Sequence, residues 1–300
     1  MAFTFTPLNQ SWIEPASEFV NSQFPEAVAT LGKLVKIPGI AWESFDSNSL
    51  DRSAAAVAAE LEALQMFDTV EIRRSAKPDG ELGAPAIVAR RAGASDAPHV
   101  LLYAHHDVQP PGARELWKTE PFEATLIGDR LFGRGASDDK SGIITHLYSL
   151  KTLKKLASSL RLGITVFIEG EEEAGSESFP NFLRENQADL AADLIIVADS
   201  GNWSEDVPAL TTSLRAMVSQ TFTIRTLDHA VHSGMYGGPL PDATGAMIKL
   251  LATLTDEQGN VAIAGLDSIP VDGPDLSDAE FGVAAGLLPG VKRLGTKSAT

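Results

Sequence analysis

The chain has 300 residues, 44% of them hydrophobic, which is enough to bury a sizeable core and favours two domains over one. Its 40 acidic residues exceed its 24 basic residues, and the formal charge of -16 argues against nucleic acid or anionic membranes as partners. It contains no cysteine, which excludes disulfides and cysteine-ligated zinc and leaves histidine and carboxylates as the strong metal ligands.

The opening segment, MAFTFTPLNQSWIEPASEF, lacks the basic start and the continuous apolar run of a secretory leader. No later apolar stretch approaches the roughly 18 residues that a membrane span requires. We therefore expect a cytoplasmic protein.

Helices and short apolar runs alternate over the first two thirds of the chain. The predicted helices lie within PEAVATLGKLVKIPGI, which Pro38 stops, and over Ser53–Met66 and Gly142–Leu156. Four nearly unbroken apolar runs predict strands that are covered on both faces: Ala86–Ala89, His99–Ala104, Gly163–Ile168 and Asp193–Ala198. This order predicts an α/β domain with a largely parallel sheet flanked by helices.

The pattern changes near residue 212. Val218–Arg225 alternates polar and apolar side chains, which predicts a half-buried strand, and Asp242–Leu254 carries its apolar residues on one helical face. We therefore predict one domain over residues 1–212 and part of a smaller α+β domain over residues 213–300.

Polar side chains follow three of the predicted strands. His105 and Asp107 follow LLYA, a run of glutamates follows ITVFI, and Asp199 follows DLIIVA. Ligands of open α/β sheets bind outside the carboxyl ends of the strands, so these side chains should meet in one crevice.

The first of these groups is HHD. Residues two apart on a strand share a face, so His105 and Asp107 should point one way and His106 the other. A carboxylate beside a histidine can hold its ring while the other ring nitrogen binds a metal. The alternative for this motif alone is a polar surface turn.

Two adjacent aspartates, Asp138 and Asp139, precede a helix in LFGRGASDDK. The positive end of a helix favours carboxylates, and N-capping explains one of them. The motif alone does not decide which aspartate has another role. His146, inside that helix, is interpreted as a packed or surface residue.

The segment EGEEEAGS places four glutamates within five residues. Convergence of two of them would raise a pKa unless a cation compensates, so one could bind a metal and another could act as a general base. A solvated acidic loop is the alternative. Together with His105 and Asp199, these carboxylates form an N/O ligand set that suits zinc or manganese, and two such metals about 3.5–4 Å apart form a hydrolytic site.

The order of five segments adds a family resemblance. HHDVQP, LFGRGASDDK, EGEEEAGS, VADS and HSGMYGG resemble the signature blocks of the two-zinc metallopeptidases that include carnosinase, aminoacylase and acetylornithine deacetylase. The VQP form is more similar to the dipeptidase branch. The resemblance implies a zinc-exopeptidase-like catalytic domain followed by a lid and dimerisation domain.

The resemblance also implies a role for each motif residue. His105 would bind the first metal with Asp107 orienting it, Asp138 would bridge both metals, and Asp199 would complete the first site. Glu173 would bind the second metal, and Glu172 would be the general base. A cis peptide is implied between Asp138 and Asp139.

The implied reaction is hydrolysis of dipeptides or short peptides by a hydroxide that bridges two divalent ions. Zinc is the preferred ion, with manganese or cobalt as alternatives. His232 would reach from the lid of a partner subunit in a homodimer to stabilise the oxyanion. We expect structural roles for His229 and Arg215.

One feature departs from the family pattern. Family members use a final histidine as a ligand of the second metal, and no histidine follows His232. We therefore expect a C-terminally truncated front portion of such a protein. Two alternatives stay open: an N-acyl amino acid deacylase of the same family, and a non-catalytic remnant that dimerises or binds peptides.

Overall fold

A computed structural model describes residues 10–157, 159–204, 207–212, 214, 217–266 and 277–291. Its helices are α1 (Ile13–Val35), α2 (Asn48–Ala63), α3 (Lys140–Leu156), α4 (Phe179–Glu185), α5 (Gln187–Leu190), α6 (Ser233–Tyr236), α7 (Ala243–Leu251) and α8 (Asp278–Ala285). Its strands are β1 (Thr69–Arg73), β2 (Ala86–Arg91), β3 (His99–His105), β4 (Thr125–Ile127), β5 (Arg130–Phe132), β6 (Gly163–Glu169) and β7 (Leu194–Val197). The chain divides after Pro208 into two compact units. The predicted boundary at residue 212 stays a prediction.

The first unit contains a five-stranded sheet of order β1-β2-β6-β3-β7. All four predicted strands are present. The β3 strand pairs in parallel with both β6 and β7, whereas β2 pairs antiparallel with β1 and with β6. The sheet is therefore mixed. The apolar pattern reveals burial but not strand direction, which is why it did not predict the antiparallel pairs. The short antiparallel pair β4–β5 was not predicted.

Helices cover the two faces of the sheet, which confirms the α/β class. On one face, α1, α2 and α3 pack on alternate strand residues such as Ile87, Leu102 and Val166. On the other face, the Phe167 ring stacks on Phe182 of α4 with the ring centroids 5.1 Å apart. Side chains that alternate between two buried faces explain why the strands read as continuous apolar runs.

The β7 strand lies at one edge of the sheet and differs from its neighbours. Its four apolar residues are 44–60% exposed. Its backbone pairs with β3, and the Ala198 N–H that follows it donates to the Tyr103 carbonyl at 2.9 Å. Backbone pairing, rather than side-chain packing, therefore fixes the position of Asp199.

The second unit contains α6, α7 and α8. The predicted helix over Asp242–Leu254 is confirmed by α7, which Asp242 caps by accepting the Gly245 N–H. The strand predicted at Val218–Arg225 is wrong, because this described stretch pairs with no neighbouring strand. A strand requires a hydrogen-bonded partner, which an alternating sequence pattern does not supply. Arg215 lies outside the described residues.

The first helix is longer than predicted: α1 begins at Ile13 and continues through Pro25. Within the described part of the chain, no helix combines the length and apolar character needed to cross a membrane.

Candidate metal centre

The predicted site residues of the first unit meet at one end of the sheet. His105 ends β3, the segment after β6 carries Glu172 and Glu173, and Asp199 follows β7. Asp138 arrives from the loop before α3 and lies beside the His105 ring. The parallel pairing of β3 with β6 and β7 brings these carboxyl ends together, as expected for an open α/β sheet.

The His105 imidazole lies at the centre of this group. Its Nε2 atom is 3.1 Å from Asp138 Oδ1, 3.8 Å from Asp199 Oδ2 and 3.9 Å from Glu172 Oε2. Two sets of potential ligand atoms lie within 4.8 Å of one another: His105 with Glu172 and Asp199, and His105 with Asp138 and Glu173. Proximity alone therefore places Glu172 and Glu173 equally within the site.

Asp107 lies fully buried beneath the imidazole. Its Oδ1 atom is 3.2 Å from His105 Nδ1, so the two residues share a face as predicted. Its carboxylate also accepts the backbone N–H groups of Glu172 at 3.2 Å and of Glu173 at 3.0 Å. One side chain therefore positions both the imidazole and the turn that carries the two glutamates.

The structure separates the roles of the paired aspartates. The Asp138 side chain is 65% exposed and faces His105 Nε2. Asp139 is buried, and its Oδ2 atom accepts the backbone N–H of His105 at 3.0 Å. The peptide between the two aspartates is cis, which confirms the expectation from the resemblance.

Two neighbours of the paired aspartates were not singled out in the sequence. Lys140 is fully buried and donates to the carbonyls of Leu34 at 2.9 Å and Ile37 at 2.8 Å, which ties the start of α3 to the end of α1. A Cβ atom at Gly142 would overlap the Ala198 carbonyl oxygen and the Asp139 carboxylate. In the sequence, the positions of Lys140 and Gly142 directly after the paired aspartates, in DDKSG, could have indicated that they support the site.

The four glutamates of EGEEEAGS divide into two pairs. Glu169 accepts from the Tyr103 hydroxyl at 2.7 Å and the Ser176 hydroxyl at 2.5 Å. Glu171 is buried and accepts the backbone N–H groups of Ala84 and Ser178. These two hold the loop, so neither interpretation of the segment, a site or a solvated loop, describes all four residues.

Burial and neighbouring charges give the two adjacent histidines opposite properties. Burial disfavours protonation of His105, but Asp107 together with Asp139 and Asp199 outweighs it and raises the His105 pKa to about 10. His106 points to the opposite side, where its Nε2 atom meets the Pro85 carbonyl at 2.8 Å. Complete burial lowers its pKa to about 4.

The carboxylates that face the imidazole disfavour one another's charge. Burial raises the pKa of Glu172, and the charges of Asp199 and Glu173 add to this increase against the opposing effect of His105. Burial likewise raises the pKa of Asp199, and Asp138 adds to that increase. A cation among these groups would relieve the repulsion, and one imidazole with several carboxylates is a donor set that zinc accepts. The residues therefore fit a divalent metal.

The remaining histidines lie elsewhere. His146 is buried in α3 with its Nε2 atom 2.8 Å from the Tyr103 carbonyl, so it is a packed residue as interpreted. His232 and His229 belong to the second unit and are exposed. The His232 Nδ1 atom accepts the Gly234 N–H at 3.2 Å at the start of α6, and His229 pairs with Asp228.

Comparison with known proteins agrees with this arrangement. The model of peptidase family M20/M25/M40 matches residues 101–289, a range that includes the strands and loops bearing the site. The chain is 32% identical over 296 residues to a cysteinylglycine-S-conjugate dipeptidase of Corynebacterium striatum, covering 98% of this chain and 60% of that protein. It is 28% identical over 268 residues to a Beta-Ala-His dipeptidase of Rattus norvegicus, covering 87% of this chain and 54% of that protein.

The fold is also similar to that of a solved structure. The crystal structure of human carnosine dipeptidase 1 superposes with a TM-score of 0.66 at 23% identity, over 94% of this chain and 62% of that one. The chain thus spans somewhat over half the length of the relatives that it matches.

Proposed function

Because the chain belongs to peptidase family M20/M25/M40, we propose that its site hydrolyses the peptide bond of dipeptides or short peptides with divalent metal ions. The observation that carries this proposal is the convergence of Asp138, Asp199 and Glu172 on His105 Nε2, within 3.1–3.9 Å. The matched relatives named above are dipeptidases, which favours this substrate class over the N-acyl amino acids.

We propose that His105, Asp138 and Asp199 hold one metal, and that Asp138 and Glu173 hold a second. Zinc is the proposed ion, with manganese or cobalt as alternatives that accept the same ligands. Bound ions would supply Lewis-acid polarisation of the scissile carbonyl and would lower the pKa of the attacking water. Asp107 would keep the His105 ring in place by holding its Nδ1 side.

We propose Glu172 as the general base. Among the described residues, its carboxylate accepts no hydrogen bond and lies 3.9 Å from His105 Nε2, so it remains available to a water molecule. Its raised pKa favours accepting a proton from the attacking water and donating that proton to the departing amine. Glu173, in contrast, is already held by a side-chain hydrogen bond from Gln109.

Replacing Glu172 by Gln tests the proposal. We expect dipeptide turnover to fall by about 10²–10⁴-fold, the usual contribution of a general base, while bound metal and thermal stability stay unchanged. The matched control is Glu62→Gln, an exposed α2 residue outside the site. A fully active Glu172→Gln enzyme would refute the base assignment. A metal-loaded chain without turnover would support the non-catalytic alternative.

We further propose a homodimer in which His232 stabilises the oxyanion in the partner subunit's site. In neutral His232, Nδ1 accepts the Gly234 N–H, so the ring proton is on Nε2 and this nitrogen can donate a hydrogen bond to the oxyanion. An oxyanion donor contributes about 3–4 kcal/mol, so His232→Ala should lower turnover by about 10²–10³-fold.

We also propose the cytoplasm as the location of the protein, since the chain has no cysteine.

Mixing two inactive variants tests the dimer. A heterodimer of His232→Ala and Glu172→Gln subunits contains one site with an intact base and an intact histidine from the other subunit, so activity should return on mixing. His229→Ala in place of His232→Ala is the control and should be active alone. A mixture that stays inactive although the subunits exchange would contradict the shared site.

A further inference from the structure

Gln109 contacts the candidate metal centre through a single atom. Its amide nitrogen Nε2 donates to Glu173 Oε2 at 2.7 Å and to the Glu173 backbone carbonyl at 3.0 Å. The nitrogen carries two hydrogens, and both acceptors lie on one residue. A flipped amide would instead direct its oxygen at a carbonyl and a carboxylate, so these contacts determine the amide orientation.

The backbone beneath Gln109 is firmly held. The Val108 N–H donates to the Gly39 carbonyl at 2.9 Å, and the Val108 side chain is fully buried. Asp107, two residues before Gln109, accepts the N–H groups of Glu172 and Glu173. The Asp107 carboxylate therefore accepts two backbone N–H groups of the glutamate turn, and the Gln109 amide donates to a backbone carbonyl of the same turn.

The two neighbouring glutamates differ because of the Gln109 contacts. One oxygen of Glu173 is engaged by the Gln109 amide, which leaves Oε1 as its oxygen without that contact. Glu172 receives no such donor among the described residues and keeps its longer contact with His105. An amide donor is neutral, so it can order a carboxylate without neutralising the charge that a metal requires.

We propose that Gln109 is a positioning residue that holds Glu173 as a one-oxygen metal ligand and keeps it distinct from the adjacent general base Glu172. This inference rests on the metal-dependent function proposed above and concerns ligand geometry. Residues that orient metal ligands through hydrogen bonds typically change metal affinity about 10–100-fold when they are replaced.

Metal titration of the purified chain tests this inference. Zn²⁺ binding is measured against a chelating indicator for the unsubstituted chain, Gln109→Met, Glu173→Gln and the double variant. Methionine has a similar length and no donor. We expect Gln109→Met to weaken, by about 10–100-fold, the same binding step that Glu173→Gln weakens. In the double variant, the loss should exceed that of Glu173→Gln by less than about threefold, because residues that act as one unit are not additive.

Gln187→Met on the exposed face of α5 is the matched control and should bind Zn²⁺ like the unsubstituted chain. A merely structural role for Gln109 would lower the melting temperature without changing the affinity. Unchanged affinity in Gln109→Met, or losses that add fully in the double variant, would overturn the inference. Failure of dipeptide hydrolysis by the metal-loaded, unsubstituted chain would overturn the proposed function while leaving these affinities as an independent result.

Discussion

The candidate centre has two layers with different physical properties. The floor consists of His105, His106, Asp107 and Asp139, none more than 1% exposed, and the rim consists of Asp138, Glu172, Glu173 and Asp199. Floor carboxylates accept backbone N–H groups, whereas rim carboxylates face one another around the imidazole. The floor therefore serves folding and orientation, while the rim accumulates negative charge that favours a cation.

The largest expected difference between the layers is in metal-free stability. Asp107→Ala leaves the backbone N–H groups of Glu172 and Glu173 without their acceptor and removes the buried carboxylate beside His105 Nδ1, which keeps only the main-chain carbonyl of residue 107 at 3.1 Å. We expect a loss of about 3–5 kcal/mol of unfolding free energy, as for other broken buried pairs. Asp138→Ala in the rim should cost less than about 0.5 kcal/mol, because it also relieves repulsion. Urea denaturation of both metal-free variants measures this; equal losses would remove the distinction.

The second prediction concerns the junction of floor and rim at Gly142. Gly142→Ala places a methyl group against the Ala198 carbonyl, next to Asp199, and against the Asp139 carboxylate. We expect a cost of about 3 kcal/mol, at the upper end for overpacking. Gly32→Ala in α1 meets only Ala124 at 3.6 Å and should stabilise by about 0.4–1 kcal/mol. An unchanged denaturation midpoint for Gly142→Ala would contradict this prediction, because it would show that the neighbouring groups move aside without cost.

The smallest effect separates the two floor histidines by pH. The His106 pKa is about 4 in the folded chain, against about 6.5 when unfolded, so the unfolded chain binds more protons between these values. The contribution of His106 to stability should therefore fall by about 2 kcal/mol as pH falls from 7 to 5. The raised pKa of His105 acts in the opposite pH range: its contribution is present below about 6.5 and is lost as pH rises through about 10.

His106→Gln tests this assignment. Between pH 7 and pH 5, the change in stability of the variant should be more favourable than that of the unsubstituted chain, by the amount given above. The control His229→Gln removes an exposed imidazole and should leave the pH dependence unchanged. If both variants follow the unsubstituted chain, burial of His106 does not control this part of the pH profile.

The sequence predicts the site residues at the strand ends better than it predicts the roles of the glutamates in the loop after β6. Strand ends and the two-residue period correctly placed His105, Asp107 and Asp199, because these depend on local geometry. The division of the four glutamates into two that hold the loop and two that face the site was not predictable. Glu171 accepts the backbone N–H groups of Ala84 and Ser178, which only the folded chain brings close. The same limit applies to Val218–Arg225, whose alternation implied a partner strand that the described residues do not provide.

Crystallography of the zinc-loaded chain, with anomalous data collected at the zinc absorption edge, tests most directly whether His105, Asp138 and Asp199 bind a metal. We expect an anomalous peak at about 2.0–2.2 Å from His105 Nε2 and from oxygens of Asp138 and Asp199, with the Asp107 carboxylate still on the Nδ1 side of the ring. Zinc bound elsewhere, or a rim without an anomalous peak at saturating zinc, would contradict this expectation.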